Sequence, residues 1–331
     1  MARPWSLPIV PNKKYEKITF SSKEYKILKI LGSGAYGEVY QIEDSEGKKY
    51  ALKQIKLING HQTIRFDMLR EPNFLKYCEN ENLVNLYEVS FINKNQIALL
   101  MEYCDCDLSQ FIEKFKSNPL IYNEKTIKKI SYQIIKGVEI LHSNLLFHRD
   151  LKPQNILLKF LEKNNEGDII NLNNFIIKIG DLGLSRKYSL LKRKYTPGVG
   201  TLYYRAPEII LGASNYFIGI DVWSIGCIIG EMILHRPIFI GNNDRTQLIE
   251  MIKIFGAFND ENLPGLKFFP NYNKSFPVCN GVGLKNYLMN NKSIDVSDEC
   301  LELICKMLVI DPTKRIDLFN CLECDWFRDV N

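Results

Sequence analysis

The chain contains 331 residues, of which 46% are hydrophobic and 24% are charged. This balance is typical of a folded globular protein and excludes a mostly disordered chain, a collagen-like chain and a small disulfide scaffold. The formal net charge of +5 is too weak over this length to indicate binding to nucleic acid or to a membrane surface. A length above the roughly 250–300 residues at which single cores stop growing predicts two lobes.

The first 24 residues are predicted to form an N-terminal tail, because the prolines in this stretch favour an extended chain. From Tyr25 to Met101 short β-prone runs dominate, and the turn residues 44–47 separate two of them. The predicted strands are Ile27–Leu31, Glu38–Ile42, Lys49–Ile55 and Gln96–Met101.

After Asp107 the pattern becomes helical. Apolar residues recur at helical spacing from Ile127 to Leu141, which gives a helix one apolar face. Residues 222–234 are apolar nearly all round and predict a buried helix that is too short and too polar to span a bilayer. Residues 300–308 predict a further amphipathic helix. The pattern therefore predicts a small β-rich lobe followed by a larger α-rich lobe.

The nine cysteines are scattered along the chain, and no secretory signal precedes them. We therefore expect reduced thiols in an intracellular protein. Cys321 and Cys324 have the spacing of a metal-binding pair, but no second such pair of cysteines or histidines accompanies them. A structural role is expected for both, because a zinc site needs about four ligands.

A glycine-rich stretch with Gly32, Gly34 and Gly37 lies between two predicted strands. A dinucleotide site would need a helix after the glycines, whereas here a strand follows and Lys53 lies one strand later. A strand–loop–strand of this kind covers nucleotide phosphates in protein kinases, because glycines admit backbone N–H groups and the lysine adds positive charge. Taken alone, the motif is equally compatible with a chance turn.

Three further motifs follow in order: residues 148–155 (HRDLKPQN), 181–183 (DLG) and 206–208 (APE). Their side chains suit phosphoryl transfer, which depends mainly on positioning and on neutralising charge. Asp150 can accept the proton of a substrate hydroxyl, and Lys152 can neutralise charge on the transferred group. Asn155 and Asp181 supply the hard oxygen ligands that Mg²⁺ prefers.

Together these motifs resemble those of eukaryotic protein kinases, and the resemblance covers nearly all of residues 25–328. It implies the α+β bilobal protein kinase fold, with a small β-rich N-lobe at 25–101, a hinge at 102–107 and a larger α-helical C-lobe at 108–328. A lysine two residues after Asp150 resembles the serine/threonine class. The resemblance implies ATP and Mg²⁺ as cofactors. It assigns the catalytic roles to Asp150, Lys152, Lys53 and Glu71.

The resemblance also implies where ATP binds. Backbone groups of Glu102 and Cys104 would contact the adenine edge, and Asp107 would reach the ribose. His148 is expected to pack rather than act as a base, and Leu182 keeps an apolar residue where phenylalanine is usual. The implied ATP-binding residues are Leu31, Gly32, Gly34, Gly37, Val39, Ala51, Lys53, Met101, Glu102, Cys104, Asp107 and Leu157.

The segment before Ala206 is similar to the activation loop of cyclin-dependent kinases. The resemblance implies an activating phosphothreonine at Thr196, because guanidinium groups bind phosphate bidentately and three arginines match the family's cluster. These arginines are Arg70, Arg149 and Arg186. A proline pocket for Ser/Thr-Pro substrates is implied at Val199, Gly200 and Arg205. Tyr36 occupies the place of an inhibitory phosphotyrosine, next to Ala35 where the family has threonine.

Three structural contacts are implied as well. Glu208 and Arg315 would form a buried ion pair, and Asp221 would hold the backbone of the catalytic loop. Thr201 would hydrogen-bond Asp150 or Lys152.

Residues 65–71 align with the cyclin-binding helix of that family, and Glu71 is expected to pair with Lys53. Pro72 departs from the pattern, because proline inside a helix costs about 3 kcal/mol. The helix is therefore expected either to kink or to begin near Pro72, where proline is tolerated. The expected partners are a cyclin subunit, protein substrates and an upstream activating kinase, with no nucleic acid and no membrane.

Two alternatives stay open. A mitogen-activated-type kinase acting without cyclin usually carries a Thr-x-Tyr site, and position 198 is glycine here. A scaffold pseudokinase would require loss of a core catalytic residue, and Lys53, Asp150, Asn155 and Asp181 are all present. Features of mediator-associated, PITSLRE-type and cell-cycle kinases are mixed, so the branch is undecided. A nuclear or cytoplasmic location is expected.

Overall fold

The structure is a computed structural model that describes residues 17–34, 37–56, 69–93, 96–162, 171–187, 195, 198–272 and 276–330. These residues form two compact units. The first unit contains residues 17–56 and 86–103, and the second contains residues 69–85 and 104–330, apart from the gaps just given. Within the described ranges, no helix is both long enough and apolar enough to cross a lipid bilayer.

The first unit is an antiparallel sheet. Its described strands are β1 (Lys17–Phe20), β2 (Lys23–Gly34), β3 (Gly37–Glu43), β4 (Lys49–Lys56), β5 (Leu86–Asn93) and β6 (Gln96–Glu102). The spatial order is β1-β2-β3-β4-β6-β5, so β6 pairs with both β4 and β5. All four strands predicted from the sequence are confirmed, because each predicted run lies within β2, β3, β4 or β6.

β1 falls in the stretch that the sequence pattern assigns to the tail. It pairs with β2 across a tight turn at Ser21 and Ser22, both of which have positive φ. Phe20 is 2% exposed and packs with Ile42 and Leu52 on one face of the sheet. Residues 17–20 are therefore part of the folded sheet, because Phe20 covers apolar side chains that water would otherwise reach.

The second unit is mainly helical. Its described helices are α1 (Arg70–Tyr77), α2 (Leu108–Phe115), α3 (Glu124–Ser143), α4 (Pro207–Ile210), α5 (Gly219–Leu234), α6 (Asp244–Phe255), α7 (Leu284–Asn291), α8 (Asp298–Met307) and α9 (Leu318–Leu322). Short strands complete it: β7 (Cys106–Asp107), β8 (Leu146–Phe147), β9 (Ile156–Phe160), β10 (Phe175–Ile179) and β11 (Arg186–Lys187). β7, β9 and β10 form one small sheet, and β8 pairs with β11.

Helices α3 and α5 supply much of the core of the second unit. The predicted apolar face of α3 is confirmed, since its side chains from Ile127 to Leu141 at helical spacing are fully buried. The predicted buried helix at 222–234 is confirmed within α5, which has buried residues on all sides. The helix predicted at 300–308 is confirmed as α8, although it begins two residues earlier, where Ser297 caps it.

The start of α1 resolves the two alternatives raised by Pro72. The helix begins at Arg70, so Pro72 is its third residue. In the first turn the missing N–H has no intrahelical partner to lose, which is why proline is tolerated there. The alternative of a helix that begins near Pro72 is therefore confirmed. Residues 65–68 of the implied cyclin-binding helix lie outside the described residues.

Residues 69–85 belong to the second unit, whereas the predicted lobe boundary places them in the N-lobe. Backbone hydrogen bonds explain the difference, since Val84 N donates to Ile179 O and Ile179 N donates to Asn82 O. The Asn82 side chain also donates to Ile177 O at 3.1 Å. These bonds attach the chain after α1 to β10, a contact that no local pattern indicates.

Candidate active site

In the first unit, strand register places predicted nucleotide-binding residues in adjacent rows. Val39 lies opposite Lys53, and Ala51 lies opposite Met101. Paired residues project to the same face and successive residues alternate, so these four side chains share one face. Leu52 and Leu100 alternate with them and face the other way, into the apolar cluster that contains Phe20. Glu102, which follows Met101, ends β6 and is buried.

The glycines at the turn between β2 and β3 differ in whether the backbone requires glycine. Gly37 has φ +142°, and a Cβ there would lie 1.7 Å from the Gln54 carbonyl oxygen, so only glycine fits. Gly34 pairs with Gly37, and Gly32 pairs with Val39. A Cβ at Gly32 would meet no atom within 4 Å. The space beside Gly32 is therefore open.

Leu31 lies at an irregularity in the β2–β3 pairing, between Ile30 and Gly32. The predicted inhibitory position Tyr36 and its neighbour Ala35 are outside the described residues.

In the second unit, Asp221 holds the backbone that leads into the catalytic loop. Its Oδ2 accepts from His148 N at 2.8 Å and from His142 Nε2 at 3.0 Å, and its Oδ1 accepts from Arg149 N at 2.9 Å. Burial raises the pKa of Asp221, but the hydrogen bond and charge of His142 outweigh burial and leave the pKa below its usual value. The implied role of Asp221 as the anchor of this backbone is confirmed.

His148 is fully buried and links the segment of Asp150 to that of Gly180. Its Nε2 lies 2.9 Å from Gly180 O, and its Nδ1 accepts from Asp150 N at 3.3 Å. A carbonyl can only accept and a backbone N–H can only donate, so the ring carries its proton on Nε2. Both ring nitrogens are thereby engaged in hydrogen bonds within the fold. His148 therefore positions the residues on either side of the site, as expected.

Asp150 is held by donors on both carboxylate oxygens. Its Oδ2 accepts from Lys152 Nζ at 2.8 Å, while its Oδ1 accepts from Thr201 N at 2.8 Å and from Thr201 Oγ1 at 2.9 Å. Lys152 Nζ also donates to Thr201 Oγ1 at 3.1 Å. The expected bond from Thr201 is confirmed for both possible partners. The carboxylate is thereby fixed in orientation beside a positive charge.

The hairpin of β9 and β10 brings Asn155 next to Asp181. Ile156 pairs with Ile179, and Gly180 N donates to Asn155 O at 3.0 Å, immediately before Asp181. Asn155 Nδ2 donates to Asp150 O at 2.8 Å, which turns Asn155 Oδ1 the other way. Asp181 is exposed and has φ +58°. One amide oxygen and one exposed carboxylate are a donor set that fits Mg²⁺.

The segment from Cys104 to Asp107 is fixed on β9. Asp107 pairs with Leu157, and Asp105 N donates to Leu158 O. Asp107 caps α2 by accepting from Gln110 N at 2.8 Å, and burial raises its pKa. Burial and the neighbouring Asp107 raise the pKa of Cys106 to about 12, which disfavours the reactive thiolate form.

The three predicted phosphate-binding arginines converge on one short stretch. Arg70 Nη1 donates to Gly183 O at 3.2 Å, Arg149 Nε donates to Leu184 O at 2.7 Å, and Arg186 Nη1 donates to Ser185 O at 3.1 Å. The carbonyls of residues 183–185, which begin with the glycine of the DLG motif, therefore accept from guanidinium groups of α1, the HRD segment and β11. Their implied partner Thr196 lies outside the described residues.

Glu71 also lies against this stretch. It is buried, and its Oε2 lies 3.7 Å from the position that a Cβ on Gly183 would take. This places Glu71 beside the DLG motif. The expected pairing of Glu71 with Lys53 stays a prediction.

The residues of the predicted proline pocket surround a backbone turn. Gly200 has φ +90°, and a Cβ there would lie 2.7 Å from Arg149 O, so the turn requires glycine. Arg205 Nε donates to Gly200 O at 2.6 Å. Val199, Gly200 and Arg205 line a small cleft that also reaches Asp150. These residues come together as the sequence predicts.

The implied ion pair between Glu208 and Arg315 is confirmed. Nη1 and Nη2 of Arg315 donate to the two Glu208 oxygens at 2.6 and 2.7 Å, and both side chains are buried. The bidentate pair fixes the start of α4 against the C-terminal part of the unit.

The sequence motifs did not indicate three residues that shape the site. His142 donates to Asp221, Tyr216 Oη lies 2.9 Å from Arg149 Nη1, and Asp244 Oδ1 accepts from Arg205 Nη1 at 3.2 Å. Each is far from its partner in the chain. The local sequence around each of them carries no motif that would have identified it.

The model of one protein family, described as the protein kinase domain, matches residues 25–327. The match covers most of the chain and includes every described site residue above.

Proposed function

Because the chain belongs to the protein kinase family, we propose that it is a serine/threonine kinase of the cyclin-dependent type that transfers the γ-phosphate of ATP to Ser/Thr-Pro sites on proteins. The predicted α+β bilobal kinase fold is confirmed by this family match together with the β-sheet unit and the helical unit. The observation that carries the proposal is the fixed group of Asp150, Lys152 and Thr201.

Asp150 is the proposed catalytic base. The attacking Ser/Thr hydroxyl forms the new O–P bond and gives its proton to Asp150, while the bond from the γ-phosphorus to the bridging oxygen breaks and ADP leaves. Donors from Thr201 and Lys152 orient the carboxylate before substrate arrives. Lys152 then neutralises charge on the transferred phosphoryl group, a role that its position beside Asp150 supports.

Asn155 and Asp181 are the proposed ligands of Mg²⁺, which neutralises phosphate charge when bound. The Asn155 ligand is preorganised, because its amide N–H donates to Asp150 O and fixes the orientation of the side chain. His148 holds the carbonyl that precedes Asp181. The family generally uses ATP and Mg²⁺. Lys53 and the turn of Gly32 to Gly37 are proposed to bind the phosphates of ATP.

Preference for proline after the phosphoacceptor follows from the Gly200 carbonyl. Arg205 Nε occupies this oxygen, so it is a poor acceptor for the backbone N–H of the next substrate residue. Proline has no N–H to satisfy, whereas another residue would leave one buried without a partner.

Control by a cyclin and by phosphorylation of Thr196 is part of the proposal. The convergence of Arg70, Arg149 and Arg186 on residues 183–185 supports a phosphate site there, because it brings three guanidinium groups together. A phosphate there would add a charged acceptor beside the neutral carbonyls that these arginines contact.

The first test measures catalysis by the chain purified with its native partner. Wild-type protein is expected to show an ATP–Mg²⁺ thermal shift and to phosphorylate a Ser-Pro peptide. Asp150→Asn is expected to lower kcat by about 10²–10⁴-fold, and Asp181→Asn to abolish the metal-dependent part of the shift. Asp295→Asn, an exposed carboxylate with 98% of its side chain accessible, is the matched control. Absence of any ligand-induced shift in wild type would favour the scaffold alternative.

The second test separates the two kinase alternatives. The lone chain and the chain with its co-purifying cyclin are assayed with and without Thr196→Ala. Cyclin-dependent activity that falls in Thr196→Ala supports the proposal. Full activity of the lone chain would favour the mitogen-activated type.

A further inference from the structure

Arg205 makes two hydrogen bonds through different guanidinium nitrogens. Its Nε donates to Gly200 O at 2.6 Å, and its Nη1 donates to Asp244 Oδ1 at 3.2 Å. Arg205 therefore connects the turn that carries the proline pocket to the first residue of α6. The guanidinium cannot rotate away from the carbonyl without also leaving Asp244.

The start of α6 is a rigid support for Asp244. Asn243 and Thr246 form a reciprocal capping box, with Asn243 Oδ1 accepting from Thr246 N at 3.0 Å. Gln247 is fully buried and accepts from Gly241 N at 2.7 Å. A Cβ at Gly241 would lie 2.3 Å from Gln247 N, so the chain packs closely there. Asp244 is thereby fixed at the backbone.

The carboxylate of Asp244 has two favourable partners at this position, the N-terminus of α6 and the guanidinium of Arg205. A carboxylate in the first turn of a helix is stabilised by the positive end of the helix dipole. The observed carboxylate oxygen nevertheless contacts Arg205, which lies 39 residues earlier in the chain. An arginine side chain has many rotamers, so a second fixed contact reduces the time it spends away from Gly200 O.

We propose that Asp244 is a specificity-determining positioning residue: it holds the Arg205 guanidinium on the Gly200 carbonyl and so excludes substrates that present an N–H after the phosphoacceptor. The inference rests on the proposed function. When Asp244 is removed, Arg205 releases the carbonyl more often. The exposed oxygen can then accept the backbone N–H of a non-proline substrate, so discrimination falls while the chemical step is retained.

Three peptides test the inference. They are identical except for the residue after the serine, which is proline, alanine or N-methylalanine. The readout is the ratio of kcat/KM values between peptides, because a ratio cancels the amount of active enzyme and the extent of cyclin binding. N-methylalanine lacks the N–H but also lacks the ring, so it separates exclusion of the N–H from recognition of proline shape.

Asp244→Asn is expected to lower the proline-to-alanine ratio about two- to five-fold, the range for loss of an exposed ion pair. The proline-to-N-methylalanine ratio is expected to stay constant, because neither peptide has the N–H. Asp244→Lys, which repels Arg205, is expected to lower the first ratio further, and Asp244→Glu to restore most of it. Glu250→Gln is the matched control, since Glu250 lies on the same helix and pairs with Lys253 at 2.6 Å.

Two failures are distinguishable. If wild-type enzyme shows no preference for proline, the proposed Ser/Thr-Pro specificity fails and the inference falls with it. If wild type prefers proline and both Asp244→Asn and Asp244→Lys keep the full ratio, only the role of Asp244 is overturned. An equal fall in the proline-to-alanine and proline-to-N-methylalanine ratios of kcat/KM would also overturn it, because the effect would then not depend on the N–H.

Discussion

Helix α5 carries two acidic residues, Asp221 and Glu231, whose pKa values are shifted in opposite directions. Asp221, near the first turn, is fully buried and accepts from two backbone N–H groups and from His142. Its pKa lies below the usual value, since these partners outweigh burial. Glu231, near the last turn, accepts from Tyr204 Oη at 2.7 Å, and burial raises its pKa to about 7.

The difference shows that the number and charge of the donors decide the direction of the pKa shift at these two carboxylates. Burial acts in the same direction on both residues. Three donors, one of them an imidazole, overcome it at Asp221, whereas a single neutral phenol does not overcome it at Glu231.

Both ends of α5 nevertheless serve the same site. Asp221 holds His148 and Arg149, which lead into Asp150. Glu231 holds Tyr204, whose backbone N–H donates to Thr201 O at 3.1 Å. The buried helix therefore fixes the catalytic loop from one end and the residue that orients Asp150 from the other.

The largest effect is expected for Asp221→Ala. Removing a fully engaged buried carboxylate leaves two backbone N–H groups and His142 without their acceptor, so the free energy of unfolding should fall by about 3–5 kcal/mol. Kinase activity should be lost with it. Urea denaturation at pH 7 measures the change, and Asp295→Ala is the control.

The pH dependence of this effect has a definite sign. The folded pKa of Asp221 is lower than its ordinary value of 3.8, so the carboxylate contributes stability above that pH. The contribution is lost as the pH falls through the folded pKa. A stability difference between wild type and Asp221→Ala that grew on acidification would contradict this account.

Glu231→Gln is expected to stabilise the protein at alkaline pH. The folded pKa of about 7 exceeds the ordinary 4.5, so the folded state keeps a proton that the unfolded state has released, and wild-type stability falls as the pH rises from 4.5 to 7. Glutamine can still accept from Tyr204 without this cost. We expect a gain of about 2–3 kcal/mol at pH 8 and none at pH 4. An equal gain at both pH values would show that ionisation of Glu231 is not the cause.

His142→Leu tests directly whether the imidazole makes Asp221 unlike Glu231. Leucine fills similar space but donates no hydrogen bond, so the pKa of Asp221 should rise and the free energy of unfolding at pH 7 should fall by about 1.5 kcal/mol. Chemical denaturation at pH 7 measures the loss. Unchanged stability would mean that the two backbone donors suffice alone.

The smallest effect is expected for Tyr204→Phe. The variant removes the hydroxyl that donates to Glu231 and keeps the ring, at a cost of about 1 kcal/mol above pH 7. Because that bond lowers the pKa of Glu231, its loss should move the pH midpoint of the stability curve above 7. A midpoint that moved to lower pH would refute the assignment of Tyr204 as the donor.

Much of the fold was predictable because it depends on local patterns. Alternation and helical spacing identified β2, β3, β4 and β6 and the helices α3, α5 and α8. The strand β1 was not identified, because four residues with two apolar side chains make too weak a pattern until Phe20 is seen against the sheet. The sequence alone does not choose between a kinked α1 and one that begins near Pro72, since proline restricts a helix without fixing where it begins.

The sequence by itself determined which residues are proposed to carry the chemistry of this protein kinase. The proposed catalytic and metal-binding groups belong to short contiguous motifs, so Asp150, Lys152, Asn155 and Asp181 are recognisable without coordinates. Only the tertiary structure decided what holds those groups in place. His142, Asp221 and Glu231 act through partners that are distant in the chain, and Asp244 likewise contacts Arg205. The chain must pack before these side chains meet their partners. Packing then sets how deeply each side chain is buried and which donors it meets, and these decide its charge and its orientation.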